Sequence, residues 1–205
     1  MIAIIDYGLG NIASIKNMFK KIGVHEVVNT CDKETIFKAD KIILPGVGAF
    51  DAGMEKLKNT GLIEVLNDRA LKDRIPVLGI CLGMQMLTKG SEEGILSGLG
   101  WVDAKTVKFK FSEQQNDIKI PHVGWNYVHV NKSYKLVNNL PEKPRYYFVH
   151  SYYVKCNNTQ DILFSSNYGF EFTCGVQHEN VMGVQFHPEK SHKYGFQLLK
   201  NFSEI

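Results

Sequence analysis

The strongest constraint on the fold lies in residues 1–90, where short apolar runs alternate with stretches of helical spacing. Ile2 to Ile5, Val27-Val28, Ile42-Ile43-Leu44 and Val77 to Ile80 are short and lack polar alternation, so they read as strands buried on both faces. Between them, apolar residues recur at helical spacing from about Ile12 to Ile22 and from Met54 to Leu66. Crossover helices between buried strands imply a parallel sheet covered on both sides, an α/β fold of three layers. From about Val102 the period shifts toward two: Val107-Phe109-Phe111 set against lysines, then Tyr127 to Val130 and Tyr146 to Val154. Gly175-Val176-Gln177, Val181 to Phe186 and a closing helix from about Tyr194 to Phe202 follow. The expected central sheet is therefore mixed, mostly parallel, with an antiparallel section in the second half. At 205 residues, 44% of them hydrophobic, the chain can bury a sizeable core, and one domain over 1–205 is expected.

Charge narrows the function classes. The net charge is only +3 and the lysines are scattered rather than gathered into a basic run, so neither a nucleic acid nor a membrane surface is called for as partner. The apolar run at the N-terminus stops after Ile5, too short for a signal peptide or a spanning helix, and a cytoplasmic protein is expected. Cys31, Cys81, Cys156 and Cys174 form no CxxC pair and no metal-like spacing with histidine. No metal or cofactor is expected, and all but Cys81 read as structural thiols. His122, His129, His150, His178 and His192 likewise read as surface or satisfied core residues.

Cys81 stands apart because of where it sits. An apolar strand ends at Ile80, glycines lie at 79 and 83, and a helix begins near Leu82, the arrangement of a nucleophile elbow. The sharp turn exposes the thiol and aims the first amides of the helix at the sulfur, making it more nucleophilic than a free cysteine. A cysteine nucleophile needs a base and a group to orient that base. Gln185-Phe186-His187-Pro188-Glu189 offers both: in an extended segment His187 and Glu189 project to the same side. Leu44-Pro45-Gly46-Val47-Gly48 follows another strand and offers an oxyanion donor beside the Leu82 amide. A lone elbow cysteine is more often structural than catalytic; the three segments together favour acyl transfer.

Gly79 to Gln85, together with Gly183 to Ser191, resembles the class I glutamine amidotransferases. Within that family, Asp6 to Asn11, Pro45 to Phe50, Pro121 to Asn126 and Tyr147 to Tyr152 resemble the glutaminase subunits of imidazole glycerol phosphate synthase. The resemblance implies hydrolysis of L-glutamine to glutamate and ammonia through a thioester on Cys81, with His187 as general base and acid and Glu189 orienting it. It also implies that Gly46 and Val47 belong to an oxyanion strand with Leu82, and that Gly48, Gln85, Ser151 and Tyr152 hold the amino-acid head group. The implied partner is a separate HisF-type (β/α)₈ barrel cyclase that receives the ammonia, with Asn11, Trp125 and Lys190 facing it. From the residues alone, Trp125 is equally an interface anchor or a core aromatic.

Two other readings stand beside this one. Gly98 to Lys105 and Ser191 to Gly195 are closer to paralogues that send ammonia to sugar amidination in bacterial surface-polysaccharide synthesis. The elbow itself is shared with stand-alone cysteine hydrolases of similar architecture, which need no partner.

Overall fold

A computed structural model describes residues 1–115 and 117–205. The first half alternates as expected: β1 (Ile2–Ile5), α1 (Ile12–Lys21), β2 (Val27–Thr30), α2 (Lys33–Phe37), β3 (Lys41–Gly46), α3 (Phe50–Asn59), α4 (Ile63–Asn67), β4 (Val77–Cys81) and α5 (Leu82–Met86). Helix α2 is an addition, started by Asp32, whose carboxylate accepts the Thr35 amide at 2.8 Å. The single helix expected from Met54 to Leu66 is two. It breaks after Thr60, where Gly61 takes a φ of +67° that ends α3, and α4 continues into a wider π-type turn over Asp68–Lys72.

The second half holds β5 (Ala104–Lys108), β6 (His122–Tyr127), β7 (His129–Val130), β8 (Arg145–His150), β9 (Tyr152–Cys156), β10 (Ile162–Tyr168), β11 (Phe170–His178), β12 (Val181–Val184) and α6 (His192–Ser203). The run expected as one strand from Tyr146 to Val154 splits at Ser151. Its first half, β8, pairs with β6 in a separate antiparallel ribbon, while β9 joins the main sheet beside β11 and β5. The main sheet runs β2-β1-β3-β4-β12-β11-β10-β7, parallel through β12 and antiparallel beyond it. Strand β10 carries no readable strand pattern in the sequence, because Ser165 and Ser166 interrupt its apolar run.

Alternation along the parallel strands divides the core in two. Ile2, Ile4, Ile43, Leu78, Ile80 and Val184 face the layer of α1 and α6, against Phe19, Leu198 and Phe202. Ile5, Ile42, Leu44, Val77 and Val181 face the opposite layer, against Ile36, Phe50, Leu57 and Met84. Each fully buried large aliphatic or aromatic side chain contributes about 1.5–3 kcal/mol, which fixes the register and with it the carboxyl ends of β3, β4 and β12. Loops at those ends form one edge of the sheet, where ligands of open α/β sheets bind. Among the described residues, no helix is long and apolar enough to cross a membrane.

Candidate active site

Cys81 ends β4 with φ 55° and ψ −110°, a left-handed conformation that a non-glycine residue adopts only at a cost of about 1–3 kcal/mol. Packing around the turn holds it there. A Cβ on Gly83 would sit 1.8 Å from the Leu44 carbonyl oxygen, and one on Gly79 would sit 2.8 Å from that of Gly83, so α5 lies hard against β3 and β4. The helix that follows Cys81 is a short one, Leu82–Met86, and its first amides have no acceptor within the helix.

His187 and Glu189 come together, but by a different local route from the one expected. The chain is extended only through His187; Pro188–Lys190 forms a 3₁₀ turn that folds the carboxylate back onto the imidazole. Glu189 Oε1 lies 2.7 Å from His187 Nδ1, and both side chains are almost wholly buried. His187 Nε2 is buried and faces Cys81, close enough to interact with the sulfur but without the geometry of a formed hydrogen bond. Burial disfavours the imidazolium, yet the Cys81 sulfur on one side and the Glu189 carboxylate on the other outweigh it, and the His187 pKa rises to about 10.

These groups open onto a cleft of about 350 Å³ lined by Val47, Gly48, Cys81, Leu82, Gln85, Ser151, Tyr152 and His187, all expected, and by Glu93, Pro121, Val149 and His150, which were not. Gly46 is not in the wall. It lies beneath it, at the end of β3, where a Cβ would meet the Tyr7 hydroxyl at 2.6 Å. That buried hydroxyl donates to the Pro45 carbonyl at 2.6 Å, tying the Pro45–Gly48 loop to β1. Burial and the neighbouring Cys81 push the Tyr7 phenol up, so it stays a donor.

The Gln85 amide donates to the Gln185 Oε1 at 3.0 Å and to the Tyr152 carbonyl at 3.4 Å. Gln185, fully buried, turns its own amide toward the Cys81 sulfur at 3.7 Å. Gln185 has no role in the sequence reading; its period-two spacing with His187 is the one signal that could have found it. Glu93 carried no such signal: it reaches the cleft from a loop and accepts the Phe50 amide at the start of α3, 2.8 Å away.

Asn11, Trp125 and Lys190 lie outside the cleft. Trp125 is 41% exposed and stacks on His192 at 5.6 Å, so it is no core aromatic. The Lys190 ammonium lies over the Tyr147 ring at 5.6 Å, and α1, which follows Asn11, packs against the Pro188–Lys190 turn. Cys31 is exposed rather than packed, whereas Cys174 is buried. A larger hollow, about 480 Å³, between Lys33, Phe37, Glu64 and Val65, is lined by no cysteine, serine or histidine. Among the described residues, no three His, Cys, Asp or Glu side chains converge as a metal site.

The family model for glutamine amidotransferase class-I matches residues 3–204. The chain belongs to the class-I glutamine amidotransferase family. This amidotransferase is 57% identical over 202 residues to imidazole glycerol phosphate synthase subunit HisH 2 of Methanococcus maripaludis, with 98% of each chain covered. It is 51% identical to imidazole glycerol phosphate synthase subunit HisH 2 of Pseudomonas aeruginosa over the full length of both. Among solved structures it is similar to PurLQS from Thermotoga maritima, with a TM-score of 0.72 at 18% identity, over 99% of this chain and 97% of that one. That likeness speaks to the fold.

Proposed function

We propose that this amidotransferase hydrolyses L-glutamine at Cys81 and delivers the ammonia to a HisF-type barrel cyclase in histidine biosynthesis. The observation that carries the reading is the convergence of the Cys81 elbow, the His187–Glu189 pair and the Gln85–Glu93 wall on one cleft. The Cys81 thiol gives its proton to His187 Nε2, Sγ attacks the side-chain carboxamide carbon, and the Leu82 and Val47 amides stabilise the oxyanion. His187 Nε2 gives its proton to the departing nitrogen, the C–N bond breaks and ammonia leaves a glutamyl thioester. His187, now neutral, takes a proton from water; the hydroxide adds to the thioester and the thiolate departs, leaving glutamate. Glu189 holds the imidazole in the right tautomer throughout. Glu93 supplies a carboxylate for the substrate α-ammonium, and the Ser151–Tyr152 backbone receives the head group.

The outer face of the β6–β8 ribbon supports a partner subunit. Val123, Trp125, Tyr127 and Val149 are exposed side by side there, in cross-strand pairs Val123 with Val149 and Trp125 with Tyr147, an apolar and aromatic surface suited to a protein interface. The ribbon also touches the chemistry directly, because the His187 amide donates to the Tyr147 carbonyl at 2.9 Å. Glutamate release measured with and without a HisF-type subunit tests the reading: slow release alone, a strong rise on complex formation and loss in Cys81→Ala support it. Full activity of the lone chain on esters or peptides, with none on glutamine, would point to a stand-alone hydrolase.

One observation favours a second acceptor. Gly98 to Lys105 and Ser191 to Gly195 resemble paralogues that send ammonia to sugar amidination in bacterial surface-polysaccharide synthesis. Rescue of a histidine auxotroph that lacks its own glutaminase subunit separates the two: growth supports the histidine pathway, and no growth despite glutaminase activity supports the sugar pathway.

A further inference from the structure

Two buried histidines take no part in this chemistry. His122 opens β6 and His150 closes β8; they are register partners, and both side chains lie on the buried face of the ribbon. His122 Nδ1 is 3.0 Å from His150 Nε2, His150 Nδ1 is 2.7 Å from the Tyr152 carbonyl oxygen, and the Asn126 amide nitrogen is 3.3 Å from His122 Nε2. Asn126 also donates to the Asn167 carbonyl at 2.8 Å.

Donor and acceptor chemistry allows one proton assignment along this chain. A carbonyl only accepts, so His150 Nδ1 carries the hydrogen and its Nε2 is a bare acceptor. His122 must therefore donate from Nδ1, which leaves its Nε2 to accept from Asn126. Burial keeps both rings neutral, pushing His150 down to about 3 and His122 to about 4, so the assignment holds at neutral pH.

We propose that His150, oriented by His122 and Asn126, is a positioning residue for the glutamine head group. The chain leaves the ribbon at His150 and enters the main sheet at Tyr152, and the hydrogen bond spans the one residue between, Ser151. It closes a clasp over the break. The same Tyr152 carbonyl accepts from Gln85, so the clasp sets two of the groups on the substrate side of the cleft. A pair that merely filled the core would have no reason to end on the cleft wall, as His150 does. The role rests on the reading of Ser151 and Tyr152 as the head-group site.

The test uses the complex with a HisF-type subunit and compares glutamine kinetics of wild type, His150→Leu, His150→Asn and His122→Leu. Asparagine places its amide nitrogen near the position of Nδ1 and keeps the bond to Tyr152; leucine removes it. The expected result is a rise of about tenfold in KM for His150→Leu, the loss falling in KM rather than kcat. His150→Asn recovers most of it. His122→Leu gives a smaller rise and adds nothing to His150→Leu in the double variant, because both act through one bond. Should the leucine variant not fold, the asparagine variant and His122→Leu decide. An unaltered KM, an asparagine variant as poor as the leucine one, or a loss confined to kcat and to alkylation of Cys81 by iodoacetamide overturns the positioning role alone. A wild-type complex that releases no glutamate overturns the glutamine reading and this inference with it.

Discussion

The Ser191 hydroxyl donates to the His187 carbonyl at 2.6 Å and accepts the Tyr147 amide at 3.0 Å, so one buried side chain pins the candidate base to the ribbon. Ser191→Ala removes the partner of the part-buried Tyr147 amide and leaves the His187 carbonyl only the Lys190 amide, 3.1 Å away. Denaturant unfolding should register a loss of about 1–3 kcal/mol, and glutaminase turnover should fall about tenfold to a hundredfold as His187 loses its placement.

Glu189 and Cys81 act on His187 from opposite sides, and each should be measurable in its titration. In Glu189→Gln the carboxylate charge is gone while burial remains, so the His187 pKa falls below its wild-type value. Imidazole NMR across a pH series checks the direction, and kcat should drop about 10²–10⁴-fold. An unmoved titration would mean that Glu189 does not set the charge on the imidazole.

The left-handed backbone at Cys81 separates strain from chemistry. Cys81→Ala and Cys81→Gly are both expected to be inactive, but glycine accepts φ 55° without penalty and alanine does not. Thermal or chemical unfolding should therefore find the glycine variant more stable by about 1 kcal/mol or more.

His150 makes the protein sensitive to acid. Its folded pKa is depressed to about 3, chiefly by burial, against an ordinary value of 6.5 in the unfolded chain. Below pH 6.5 the unfolded chain binds a proton that the native state refuses, so the stabilisation present above pH 6.5 is lost as pH falls toward 3. The slope from this residue is about 1.4 kcal/mol per pH unit. Unfolding measured from pH 7 to 4 should be steeper for wild type than for His150→Asn; parallel curves contradict the assignment.

Much of this architecture is legible in the residues because the parallel half depends on local patterns. β1, β3 and β4 are uninterrupted apolar runs, and Cys81 between two glycines marks the elbow without reference to anything distant. The errors fall where local pattern and tertiary context part. Nothing in Tyr146 to Val154 announces that the chain changes sheets at Ser151, since both halves alternate alike. Glu93 and Tyr7 reach the site through loop and strand packing, which no spacing encodes. The 3₁₀ turn at Pro188 brings Glu189 to His187 by a route that an extended strand would not take, although the pair itself was readable.

The most direct test is to quench the complex with acid during glutamine turnover and identify the acyl group on the Cys81 peptide by mass spectrometry. A glutamyl thioester on Cys81, present in wild type and lost when His187 is replaced by alanine, is the predicted result. Continued glutamate release by Cys81→Ala, with no modified Cys81 in the wild type, would contradict it.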